Sequence, residues 1–157
     1  MKLKLLFVWL LVLTVININA QEEDMDEANI RPFQVTFITP LGTNGTAAPQ
    51  ITNRFSLNIL AGYNGGVDGF ELGAFLNLIN DHTKGFQIAG FGNISGGNTD
   101  AGQIAGFMNI NGGEVKGLQS SGFINIAGGR AEAVQIGGFT NLSGDLKGVQ
   151  ASGFGNI

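Results

Sequence analysis

Few of the 157 residues carry side chains that could perform a reaction. His82 is the single histidine, and it stands beside Asp81 and Lys84 in a segment that reads as a turn. With no second base or ligand beside it, His82 reads as a surface turn residue and not as a metal ligand or general base. Cysteine is absent, so neither a disulfide framework nor a thiolate metal site can form. The serines fall at repeat and loop positions, where a nucleophilic triad has no members to recruit. Glu71 has no second strand carboxylate with which to share acid and base roles, and it reads better as a replacement in a glutamine column. The glycine-rich stretches GFGNISGG and GGVDGF lack the Gly-Lys-Ser/Thr of a phosphate loop. Gly96-Gly97-Asn98-Thr99-Asp100 is superficially like a calcium-binding β-roll, but that motif has period nine with an aspartate in each turn, whereas the Asp100 position becomes Lys116 and Glu132 here. The sequons at Asn44, Asn93 and Asn141 are not read as glycosylation sites, since two belong to a repeated asparagine column. No enzyme, metal or cofactor is expected.

The elements that hold these residues are repeats. From Gly69 the chain divides into GFELGAFLNLINDHTK, GFQIAGFGNISGGNTD, AGQIAGFMNINGGEVK, GLQSSGFINIAGGRAE, AVQIGGFTNLSGDLK and GVQASGFGNI. Most units have about sixteen residues, the fifth is one shorter, and the sixth breaks off at Ile157. One column holds Gln87, Gln103, Gln119, Gln135 and Gln150, a second Phe91, Phe107, Phe123, Phe139 and Phe154, and a third Asn77, Asn93, Asn109, Asn125, Asn141 and Asn156. Such self-similarity marks a repeat architecture. Upstream, residues 55–68 read as a degenerate capping unit, residues 32–42 as a separate strand, and residues 43–53 as a loop. Alternation with period two and recurrent glycine predict strands and turns, an all-β fold. Nearly every charge of the repeats falls in the predicted turns, among them Asp81, Lys84, Asp100, Glu114, Lys116, Arg130, Glu132, Asp145 and Lys147.

Composition and the N-terminus bear on destination. Glycine accounts for 26 residues without a collagen period, and charged residues are only 13%. Lys2 and Lys4 precede an apolar run from Leu5 to Val15 that is short for a membrane span, so residues 1–20 read as a signal peptide cleaved before Gln21. The acids Glu22, Glu23, Asp24, Asp26 and Glu27 make residues 21–31 an acidic, solvated tail expected to be disordered. The remaining divisions are residues 32–68, N-terminal strands and capping unit, and residues 69–157, the array. No basic cluster suits nucleic acid. The break at Ile157 would leave an unpaired strand edge, which reads as a fragment of a longer protein or as an edge covered by another chain.

Two stacking modes fit the repeats. If residues 86–94 form one nine-residue strand, one face carries Phe86, Ile88, Gly90, Gly92 and Ile94 and the other Gln87, Ala89, Phe91 and Asn93. That length and pattern, apolar outside and polar inside, match a strand of an antiparallel outer-membrane-type sheet or barrel, which is the leading expectation. In the alternative, a parallel β-solenoid, each unit is one coil, and the Gly90 column makes a corner that resets the alternation. Phe91 would then point inward with Phe86 and Ile88, while Gln87 and Asn93 would stack on their equivalents as amide ladders.

The segments GFQIAGFGNI, AGQIAGFMNI and AVQIGGFTNL resemble the tandem units of a bacterial surface-repeat family, familiar from leptospires and found in other Gram-negative bacteria. The resemblance covers roughly residues 55–157. It implies an exported cell-envelope or surface protein with no established activity, and it transfers no catalytic residue. The expected function is therefore a structural cell-surface or outer-membrane β-repeat protein. The alternative is a secreted solenoid that serves as a binding or adhesion platform, with no ligand specified.

Overall fold

The chain folds, in a computed structural model describing residues 29–157, as a parallel β-solenoid. The expected signal peptide and residues 21–28 of the acidic tail lie outside the described residues. The strands are β1 (Ile30–Ile38), β2 (Leu41–Gly42), β3 (Thr52–Asn64), β4 (Gly66–Gly73), β5 (Leu76–Ile79), β6 (Thr83–Ala89) and β7 (Gly92–Ser95). They continue as β8 (Thr99–Ala105), β9 (Met108–Asn111), β10 (Val115–Ser121), β11 (Ile124–Gly137), β12 (Thr140–Leu146), β13 (Val149–Ser152) and β14 (Gly155–Asn156). One 14-stranded sheet wraps continuously through them. The first wall stacks β1, the start of β3, β4, β6, β8, β10, the end of β11 and β13. The second wall stacks the end of β3, β5, β7, β9, the start of β11, β12 and β14.

The antiparallel outer-membrane barrel expected from the sequence is thereby corrected. All of these pairings are parallel, and only the two-residue β2 lies antiparallel, against β1. Each strand pairs with its equivalent one repeat away, Gln87 opposite Gln103 and Asn93 opposite Asn109. Parallel strands need a crossover, and here the crossover is the other wall of the same coil. The supposed nine-residue strand is broken at Gly90–Phe91 into β6 and β7. A Cβ on Gly90, Gly106, Gly122 or Gly138 would collide with the carbonyl oxygen of the corner one coil below, so this tight stack of corners admits only glycine in its regular form.

Corner and turn lengths decide which residues point inward. Thr83, Gln87, Ala89, Asn93 and Ser95 are buried, whereas Phe86 is 46% exposed and Phe107 40%. The solenoid expectation was right about the corner and the amide ladders, but wrong about the phenylalanines, which lie outside. The polar-inside, apolar-outside character that argued for a barrel is realised within a solenoid.

The N-terminal end has its own closure. The segment Gly45–Gln50 forms a 3-10 turn, preceded by Asn44. Asn44 Nδ2 donates to Gln34 Oε1 and to Asn53 Oδ1 (3.0 Å), and Gln34 Nε2 reaches Asn64 Oδ1 at 2.6 Å. Polar side chains at the first coil are thus satisfied by one another.

Candidate functional site

The glutamine and asparagine columns meet in the lumen. Gln103 Nε2 donates to Gln87 Oε1 (2.9 Å), Gln119 to Gln103 (2.9 Å), Gln135 to Gln119 (2.6 Å) and Gln150 to Gln135 (2.7 Å). The ladder therefore donates toward the N-terminus. The asparagines run the other way: Asn77 Nδ2 donates to Asn93 Oδ1, Asn93 to Asn109, Asn109 to Asn125, Asn125 to Asn141 and Asn141 to Asn156, all at 2.8–2.9 Å. Opposed amide dipoles offset one another along the lumen, so a long polar core accumulates little net field. The second N–H of each asparagine crosses the lumen to a wall carbonyl in the next coil, as from Asn93 to Ile104 (2.9 Å) and from Asn109 to Ser120 (2.8 Å). Those bonds satisfy carbonyls where the first-wall strand gives way to the corner.

Both ladders end on Glu71. Gln87 Nε2 donates to its Oε2 at 2.7 Å, while Asn58 and Asn64 donate to Oε1 at 2.8 and 2.6 Å. Three converging donors call for a side chain with two oxygens that can accept, and a carboxyl group is one. Asn58 also donates to Asn77 Oδ1 at 2.8 Å, so it starts the asparagine ladder. It fills the place left open by Gly62, where a Cβ would strike the Asn58 side chain. Glu71 is fully buried, and loss of water pushes its pKa up to about 7 against the lowering pull of its bonds to Gln87, Asn58, Asn64 and Ser56. Sequence reading placed Glu71 in the glutamine column. It missed Ser56, Asn58 and Asn64, which belong to the degenerate coil, and the polar residues in an otherwise apolar FSLNILAGYN were the available signal.

His82 is more connected than its turn position implied. Its Nδ1 lies 2.8 Å from Asp81 Oδ2 and its Nε2 3.2 Å from Asp68 Oδ1, one coil away. A shallow cleft of about 220 Å³ adjoins it, bordered by Lys84, Asn98, Asp100, Glu114 and Lys116. The hydroxyl beside it, Thr83 Oγ1, is buried and donates to Gln87 Oε1 at 3.1 Å. Among the described residues no group of three or more histidine or acidic side chains is placed to hold a metal ion. In the lumen, of the described buried side-chain polar atoms, only the hydroxyls of Thr52, Ser95 and Ser121 lack a partner.

The phenylalanine column forms a continuous outer ridge along the corner. Rings of Phe75, Phe91, Phe107, Phe123, Phe139 and Phe154 stack nearly parallel with centroids 4.7–5.0 Å apart. The spacing is that of strands in a sheet, so each ring covers its neighbour's face and presents only its edge outward. The first wall adds two further outward rows, Phe33, Phe55, Phe70 and Phe86 in one and Val35, Leu57, Leu72, Ile88 and Ile104 in the other.

Thus the glutamine and asparagine columns occupy the interior and the phenylalanine column the surface, and no single pocket brings the three together. No family model matches the chain, and no curated protein or solved structure matches it either.

Proposed function

We propose that this chain is an exported, non-catalytic β-solenoid that acts as a structural or binding scaffold at the cell surface. The observation that carries the reading is the division of polarity. The lumen's amides are occupied with one another, and the outer corner carries an extended, regular ridge of apolar side chains with Phe107 40%, Phe123 39% and Phe139 40% exposed. Exposed apolar area on this scale marks an interaction surface. Export is supported by the Lys2–Val15 pattern, and a Gram-negative cell surface by the resemblance of the repeats to the surface-repeat family. An integral barrel wall is no longer part of the reading, because every long strand pairs in parallel within its own coil stack.

The test is fractionation with protease shaving of intact cells, followed by sedimentation of the purified chain with isolated cell envelopes. The reading requires recovery outside the cytoplasm without detergent, and co-sedimentation that falls when Phe107, Phe123 and Phe139 are replaced together by serine. Cytoplasmic retention, or envelope binding indifferent to the ridge, would overturn it.

A further inference from the structure

The outward face of the first wall carries three parallel columns, and their order along the solenoid is not random. The outermost reads Asp68, Lys84, Asp100, Lys116, Glu132, Lys147, strictly alternating in sign from coil to coil. Stacked neighbours of opposite sign favour the parallel register. Yet the middle of the column is unused within the chain. Among the described residues Asp68 pairs with His82, and Glu132 with Arg130 and Lys147, but Lys84, Asp100 and Lys116 form no ion pair.

The second column is graded in size. It runs Phe33, Phe55, Phe70, Phe86 in one half and Gly102, Leu118, Val134, Val149 in the other. The Phe86 ring lies over Gly102, where a Cβ would stand 2.6 Å from Phe86 Cε1. The third column, from Val35 through Leu57, Leu72, Ile88, Ile104, Ser120 and Ile136 to Ala151, carries no charge.

We propose that this face docks on the same face of a second copy of the chain, with the solenoid axes reversed and a two-fold axis along the strands, between β6 and β8. A two-fold axis in that direction keeps the charged column over the charged column and reverses the order of coils. Placed between β6 and β8, it sets Lys84 over Asp100 and Asp68 over Lys116, each pair opposite in sign. Placed on a coil, through β8 for example, it would set Asp100 on Asp100 and Lys84 on Lys116, every pair alike. The size gradient obeys the same operator. Phe70 meets Leu118, Phe55 meets Val134 and Phe33 meets Val149, while the two Phe86 rings, each laid over its own Gly102, meet at the axis. Strands at about 4.8 Å spacing give the wall from β1 to β13 a face on the order of 700 Å², close to the roughly 800 Å² per partner of a standard interface.

This inference goes beyond the scaffold reading and does not rest on it, since the face involved is the first wall and not the phenylalanine ridge. The first experiment is sedimentation equilibrium of the purified full chain, without envelopes or detergent, up to about 100 μM, well above a micromolar Kd. A dimer is expected, and a monomer across that range overturns the proposal. Register is tested in a chain that lacks native cysteine. Leu72→Cys and Ser120→Cys chains, mixed, should be joined by a short bismaleimide, while neither alone joins to itself, because its own mate lies three strand spacings, about 14 Å, along the face. Self-joining of either, or no joining in the mixture, overturns the register.

Charge is tested by inverting the whole column with Asp68→Lys, Lys84→Asp, Asp100→Lys, Lys116→Glu, Glu132→Lys and Lys147→Glu. Alternation within the chain survives, so the fold should survive and the inverted chain should dimerise with itself. Mixed with the natural chain, it should form at least tenfold less heterodimer than homodimer. Free mixing of the two would show that these charges do not face each other and would overturn the proposal.

Discussion

The regular coils from β6 onward and the opening coils from β1 to β5 fill one lumen with different chemistry. In the regular coils each glutamine and asparagine finds its equivalent one coil away, and the bonds repeat without a charge. In the β3 coil of the opening region the equivalents are missing: Ser56 stands in the glutamine column and Gly62 in the asparagine column. There Asn58 and Asn64 reach in from non-equivalent positions, and the buried carboxyl of Glu71 gathers their donors together with that of Gln87. A neutral amide ladder can be extended indefinitely, but its terminal donor needs an accepting oxygen outside the ladder. The opening coils supply one at the cost of a desolvated acid.

The largest expected effect lies within the regular region. Asn109 accepts from Asn93 and donates to Asn125, Gln103 O and Ser120 O. Asn109→Ala should therefore lower stability by on the order of 4 kcal/mol, read from chemical denaturation, because several buried groups lose partners at once. The same change at Asn156, in the exposed last strand, should cost less than about 1 kcal/mol. Equal costs would mean that the ladder is not the source of the stability.

The opening coils should announce themselves through pH. Glu71 is raised from 4.5 to about 7, so the folded chain holds a proton that the unfolded chain releases between those values. Its contribution is fully present below pH 4.5 and is lost as pH rises to 7, a decline of about 3 kcal/mol. The measurement is the difference in unfolding free energy between the natural chain and Glu71→Gln at pH 5 and at pH 8. That difference should move by most of this amount, and a pH-independent difference would remove Glu71 from the account.

Glu71→Gln has a second, smaller consequence. An amide at this position leaves one oxygen for Asn58 and Asn64 and sets a nitrogen that cannot accept against the donor of Gln87, whereas a neutral carboxyl keeps two accepting oxygens. The substitution should cost about 2 kcal/mol at pH 5, where the natural carboxyl is mostly neutral. Side-chain amide NMR should show the glutamine resonances from Gln87 to Gln150 shifting together if the ladder reverses its direction to relieve the clash. A change confined to Gln87 would show that the coils respond one at a time.

The smallest effect concerns an irregularity among the regular coils. Ala101 has φ 127°, in a column where Gly85 and Gly117 have φ 127° and 107°. Ala101→Gly removes that strain and should raise stability by about 1 kcal/mol, visible as a higher Tm. No gain would mean that the alanine's contacts offset its conformational cost.

Much of the lumen was legible before any coordinates. Gln87, Gln103, Gln119, Gln135 and Gln150 recur with the coil period, and so do the asparagines, so the columns followed from spacing, while their parallel stacking was only the second of two readings. The glycine corner was legible too, because Gly90, Gly106, Gly122 and Gly138 interrupt the alternation at one fixed place. The Glu71 cluster was not, since Ser56, Asn58 and Asn64 come from a coil whose spacing departs from the repeat, with register shifts at Asn53–Phe55 and Thr36–Ile38. Nor was the pairing of His82 with Asp68, which depends on the turn bringing residues fourteen apart side by side.

Period, columns, turns and corner were thus written in the order of residues. Which face became the interior was not, because alternation with period two labels two faces and is silent on which one closes on itself. Sequence reasoning put the polar face inward in an antiparallel barrel, and in the solenoid it turned Phe91 inward with Phe86 and Ile88. The tertiary structure reverses that choice for a local reason. In the regular coils each glutamine and asparagine of the two columns has an equivalent at hydrogen-bonding distance in an adjacent coil, which offsets the cost of burial. A phenylalanine ring at the crowded corner stacks on its equivalents just as well from outside.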